Sequence, residues 1–270
     1  MLTLAHAAGW SPSAGPIVLA AIATALYASA FVRLRRRAPG RAGWSNALLY
    51  AAGVAVSLLA VVSPLDAIGE DELLTAHMGQ HLLLGDVGPL LLVLGLRGPI
   101  AFFLLPARAL RALARSPLRP VASFLVRPRV ALALWLASLA AWHVPAAYDA
   151  AVAHPALHAF EHACFAIAGV LAWTQILDPT RRARLSVGQR AVFAFVMLVA
   201  SGLLAEVLVA MHPLYPHYVA IDRRPFGWTA AQDQSKAAVL MMAEQIATLA
   251  TTMTFLVRAH IERVQPELPG

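Results

Sequence analysis

The chain has 270 residues, 60% of them hydrophobic and only 13% charged. A soluble domain of this length does not need so much apolar surface, so an ordinary water-soluble protein is excluded and an integral membrane protein expected. The net charge of +7 sits largely on arginines in short segments between apolar runs, which marks membrane topology and excludes a nucleic-acid-binding face.

Met1 to Trp10 carry no basic segment, so no cleaved signal peptide is expected there. Seven apolar runs follow, at 16–32, 45–63, 73–96, 130–144, 157–176, 190–210 and 235–257. Each is near the ~20 residues that a spanning helix needs. The fourth is the shortest, and Trp142-His143-Val144-Pro145 is expected to end it at the membrane interface. Between the third and fourth runs, 100–105 is too short to span. With Arg108, Arg111 and Arg115 behind it, this segment predicts an amphipathic surface helix. No repeat or low-complexity tract appears. The expectation is an all-α, polytopic helical bundle of seven spans, forming one integral membrane domain over residues 1–270.

Orientation follows from arginine. The segments after the first, third and fifth runs and the C-terminal tail hold 18 of the 21 basic residues, from Arg33 through Arg97, Arg127 and the Arg181/Arg182/Arg184 group to Arg263. By the positive-inside rule that side is cytoplasmic, which puts the N-terminus outside and the C-terminus inside. Histidine is distributed the opposite way. Nine of the ten, His6, His77, His81, His143, His154, His158, His162, His212 and His217, fall at or near the outer face, and only His260 falls inside.

Two of these histidine groups have helical spacing. His77 and His81 open the third run four residues apart, and His158 and His162 do the same in the fifth. On a helix each pair stacks on one face, where two imidazoles can hold one metal ion. Polar groups inside the apolar layer are expensive and usually functional. His143 closes the fourth run on the same side, and Glu161 lies inside the second pair. Glu206, Met211 and His212 end the sixth run, while Asp233 and Gln234 precede the seventh, which carries Met241, Met242 and Glu244.

Imidazole, thioether and carboxylate together form a ligand set for copper, with methionine favouring the cuprous over the cupric ion. Two histidine pairs can also complete a zinc tetrahedron, the lesser candidate. Glu161, Glu206 and Asp233 are candidates to fix imidazole tautomers from behind. Each of these residues also has a blander reading. His6 and His217 are expected at headgroup level, Met211, Met241 and Met242 as packing, and Trp142 and Trp228 as interface anchors. Cys164, the single cysteine, excludes an internal disulfide and is expected to be buried and inert.

The run His77-Met78-Gly79-Gln80-His81-Leu82-Leu83-Leu84, leading to Pro89-Leu90-Leu91-Leu92 and Gly95, resembles the CtaG-type membrane proteins of bacterial cytochrome c oxidase assembly. So do Trp142-His143-Val144-Pro145 with Tyr148, His158 through Glu161-His162 to Trp173, and Asp233-Gln234, in that order between about residues 45 and 257. The resemblance implies a multi-pass protein of the bacterial inner membrane that helps copper reach the catalytic subunit of a haem–copper oxidase. It implies a periplasmic copper donor as a further partner, and metal positions at His77, His81, His143, His158 and His162.

The expected function is thus a copper-binding assembly factor. It makes and breaks no substrate bond, so it is not expected to be an enzyme. Its partners are membrane lipid and the oxidase, with no nucleic acid and with a homo-oligomer open. Two rivals stay open. A haem protein would use one histidine from each of two helices. A copper transporter would need polar groups continuing through the inner half of the bundle.

Overall fold

The computed structural model describes residues 10, 13–180 and 184–264, which excludes His6, Arg181 and Arg182; the side chains of His260 and Arg263 are also outside the description. Among the described residues the chain is helical, without strands. Six helices are long and apolar enough to span: α1 (Ala14–Arg37), α2 (Trp44–Val62), a short α3 (Pro64–Asp71) intervening before α4 (Leu74–Gly95), then three more further on. The arginine-rich segment folds as α5 (Ala107–Arg115) and α6 (Leu118–Leu125), followed by α7 (Pro128–Trp142) and α8 (Pro145–Ala153). The remaining spans are α9 (Pro155–Leu177), α10 (Val187–Ala210) and, after the single turn α11 (Pro216–Val219), α12 (Ala230–Val264).

Two expectations change. The fourth run forms only the 15-residue α7, about 22 Å long at 1.5 Å per residue, short of the hydrocarbon core. It makes a seventh crossing only together with α6, from which it is bent by 75°. The amphipathic helix is α5, not 100–105. Ile100 is fully buried against Tyr27, Ala30 and Phe31 of α1, whereas no residue of α5 is buried.

Proline starts many of these helices because its missing N–H falls where no intrahelical acceptor exists. Pro64, Pro128, Pro145, Pro155 and Pro216 all stand in first turns. Ser186 and Gln189 close a reciprocal cap on α10.

The axis of the bundle is α4. In its most apolar window 61% of residues are buried, against at most 39% in any other span. Its C-terminal half packs on α2 and α9, its N-terminal half on α3 and α12, and α12 in turn packs along α10. Pro89 would drive its ring into the carbonyl of Gly85 in a regular helix. The helix takes a π turn at Leu83–Val87 instead, a distortion that often marks functional sites. At that turn α9 approaches so closely that a Cβ on Gly169 would overlap the Gly85 carbonyl oxygen and stand 2.9 Å from Pro89 Cγ.

Gly169→Ala is therefore expected to lower thermal stability in detergent by about 1–3 kcal/mol through overpacking. Gly188→Ala, with open space around its Cβ in a helix, should hold or raise it by up to about 1 kcal/mol. Equal melting of the two variants would refute the close approach.

Candidate metal centre

The N-terminal turns of α4 and α9 lie side by side at one end of the bundle, and the two histidine pairs meet there. One ring nitrogen from each of His77, His81, His158 and His162 falls within 4.8 Å of the others. The ring centroids of His77 and His158 are 5.1 Å apart, and those of His81 and His162 5.4 Å. His77, His81 and His158 are buried and His162 is half-buried.

What starts α4 in the right place is Asp233, at the beginning of α12. Its carboxylate accepts from the backbone N–H groups of Leu74 and Thr75, both at 2.9 Å, and from the Thr75 hydroxyl at 2.6 Å. Those N–H groups have no intrahelical acceptor, and the carboxylate also meets the positive end of the helix dipole. Gln234 ties the same junction to α10 by donating to the Leu208 carbonyl and accepting from Leu214 N–H. His77 thus sits one turn above a helix start that another span fixes.

Two neighbours then decide which nitrogen of each ring is bare. The Tyr218 hydroxyl donates to the Gly69 carbonyl at 2.6 Å, so toward His77 Nδ1, 2.8 Å away, it acts as an acceptor. Burial pushes the Tyr218 phenol above its ordinary value, so it keeps its proton. His77 therefore carries its proton on Nδ1 and presents a lone pair at Nε2. Glu70 Oε1 lies 2.5 Å from His158 Nδ1 and sets the same tautomer there. His158 Nε2 and His162 Nε2 are buried without a partner, and His77 Nε2 faces His81 Nε2 at 3.0 Å. Buried polar atoms left unpaired cost free energy, and here they converge on one point. A metal ion would satisfy them. The donor set is four imidazoles, and the Glu161 carboxyl, buried without a hydrogen-bond partner, lies 3.6 Å from His81 Nε2.

Not every expected residue joins. His143 is buried, but its Nδ1 donates to the Leu139 carbonyl at 2.8 Å and it stands outside the four-histidine group, with Phe165 packed against both it and His81. Met241 is a core residue against Met78 and Leu208. Glu206, Met211 and His212 are exposed on α10 and in the turn after it. Asp233 acts as a helix cap, not as an imidazole partner. His217 donates from Nε2 to the Glu70 carbonyl at 2.7 Å, and His154 is exposed. Cys164 is half-buried rather than buried.

Glu70 and Tyr218 were not legible beforehand. Tyr218 lies 141 positions from His77 with no spacing that connects them. A third omission had a signal. Asp86 is the one acidic residue within 73–96, and the π turn carries it into the core, where it accepts from Trp173 Nε1 at 2.6 Å.

A family model for the cytochrome c oxidase caa3 assembly factor matches residues 25–262. The chain belongs to that family. No curated protein and no solved structure matches it. All four clustered histidines, Glu70 and Tyr218 of this family member lie within the matched region.

Asp233→Ala should destabilise the protein by at least the about 1–2 kcal/mol of a lost helix cap, read as a lower melting temperature. An unchanged melting temperature would remove the cap from the account.

Proposed function

We propose that this oxidase assembly factor binds cuprous ion at His77, His81, His158 and His162 and hands it to the catalytic subunit of a haem–copper oxidase. The observation that carries this reading is the convergence of bare or unpartnered imidazole nitrogens at one buried point, with tautomers set by Tyr218 and Glu70. Neutral imidazoles suit copper in either state. Burial favours the singly charged ion, which costs less to desolvate. Zinc fits four nitrogens equally well in number; the family's oxidase role favours copper.

Packing of the rings argues against the haem alternative. A porphyrin ligated from both sides must lie flat between two imidazoles, and ring centroids 4.0–5.4 Å apart leave no such slot within the cluster. The factor binds and releases an ion without making a covalent bond in a substrate, so it is not an enzyme.

In this reading α6 and α7 together form a seventh, bent crossing. An odd number of spans then places the arginine-rich ends in the cytoplasm and the histidine end on the periplasmic side of the bacterial inner membrane. A periplasmic donor reaches the site past Glu70, whose side chain is 35% exposed while that of His158 is 6% exposed.

Metal analysis of the detergent-purified protein, loaded with cuprous ion, should find copper in the wild type and little in His77→Ala/His81→Ala. Equal stoichiometry in both would overturn the site. Tyr218→Phe removes the group that holds His77 Nδ1–H and should weaken copper binding about 10–100-fold, as loss of such supporting partners does elsewhere. Unaltered affinity in that variant would show that the tautomer is set by something else.

A further inference from the structure

Below the histidine cluster, toward the middle of the bundle, the chain holds two acidic groups that the metal site does not use. Asp86, on the π turn of α4, is 4% exposed. One of its carboxylate oxygens accepts from Trp173 Nε1 of α9, the other from the Gln245 amide of α12. The same Gln245 amide also reaches a carboxyl oxygen of Glu244 at 3.4 Å, which sets the two acids side by side, and the other Glu244 oxygen is buried without a partner. Among the described residues no cationic side chain pairs with either acid.

Two full negative charges sharing one amide, inside an apolar bundle and with no cation beside them, would repel at low dielectric. One proton held between the two acids removes that repulsion and the cost of leaving Glu244 Oε1 charged, buried and unpartnered.

A cavity of ≈ 40 Å³ lies between this pair and the histidines, room for about three waters. His81, Ser138, His143, Asp86 and Gln245 are among the residues that line it. His81 Nδ1, His143 Nε2 and Ser138 Oγ are all buried without a hydrogen-bond partner, and all three residues are at least nine-tenths buried. These atoms have almost no surface open to the cavity, whose wall is largely apolar, so the acids and the histidines face each other across a medium of low dielectric, where charge acts over a distance.

We propose that Asp86 and Glu244 are an intramembrane proton-binding site, holding one proton between them and coupled to the histidine end across the low-dielectric cavity. A cation settling among the histidines adds positive charge on the far side of that cavity and drives the shared proton off to solvent. This second step rests on the metal reading above; the first does not.

Infrared spectroscopy of the metal-free, full-length protein at neutral pH tests the first step. The wild type should show the C=O stretch of a protonated carboxyl, and Asp86→Asn and Glu244→Gln should each lose it. Absence of the band in the wild type, or its persistence in both variants, would overturn the site. Where neither variant folds, a hydrophobic carbodiimide, which reacts with protonated buried carboxyls, is applied to the wild type and the adducts located by mass spectrometry. Modification at Asp86 or Glu244 supports the site, and none at either refutes it. For the second step, protons released on cuprous loading are counted in weakly buffered solution. About one fewer per bound ion is expected in Asp86→Asn than in wild type; equal release would disconnect the pair from the histidines. A wild type that refuses cuprous ion would sink the metal reading alone and leave the infrared result standing.

Discussion

A neutral imidazole has one lone pair to offer, and its position depends on where the ring keeps its proton. In water that choice is nearly free; in the interior of a helical bundle a neighbour makes it. Here Tyr218 and Glu70 make it for His77 and His158, by taking the Nδ1 protons and leaving Nε2 bare. Without those two neighbours the four histidines could satisfy one another as a hydrogen-bonded ring and present no vacant lone pairs. The chemistry of the centre thus depends on residues that would never touch the ion. The Tyr218 hydroxyl can accept from His77 only because the Gly69 carbonyl absorbs its own proton. This extends the dependence to the backbone at the end of α3.

Positioning follows from the central helix. α4 is held at its start by Asp233 of α12 and at its middle by the contact between Gly85 and Gly169. The second anchor lies within the π turn that Pro89 imposes. One backbone distortion has two effects. It relieves the proline clash, and it rotates Asp86 into the interior toward Trp173 and Gln245. His81 and Asp86 are accordingly two features of one helix, separated by little more than one turn.

Much of this was legible in the sequence because membranes impose a simple grammar. Apolar runs of spanning length marked six of the helices to within a few residues at most ends, and the i, i+4 histidine pairs marked the cluster. The fourth run, 130–144, matches α7 to within two residues at either end, but 15 residues are too few to cross alone, and the helix that would complete the crossing lies beyond a 75° bend. Asp233, Met241 and Glu206 were grouped with the site on chemistry alone. Periodicity tells which residues share a helix face, but not how far that face is rotated from its neighbours. Rotation makes Glu206 exposed and Met241 a packing residue. Partners brought by short loops and single turns, such as Glu70 and Tyr218, carry no periodic signal.

The cap that Asp233 places on α4 joins residues 159 positions apart. A chain inserted into the membrane from its N-terminus exposes His77 and His81 first, and His158 and His162 only 81 residues later. The helix start that fixes the first pair stays unformed until the last span emerges. Assembly of the centre is consequently the closing event of biosynthesis, and a truncated chain carries every histidine of the cluster without the frame that aims them.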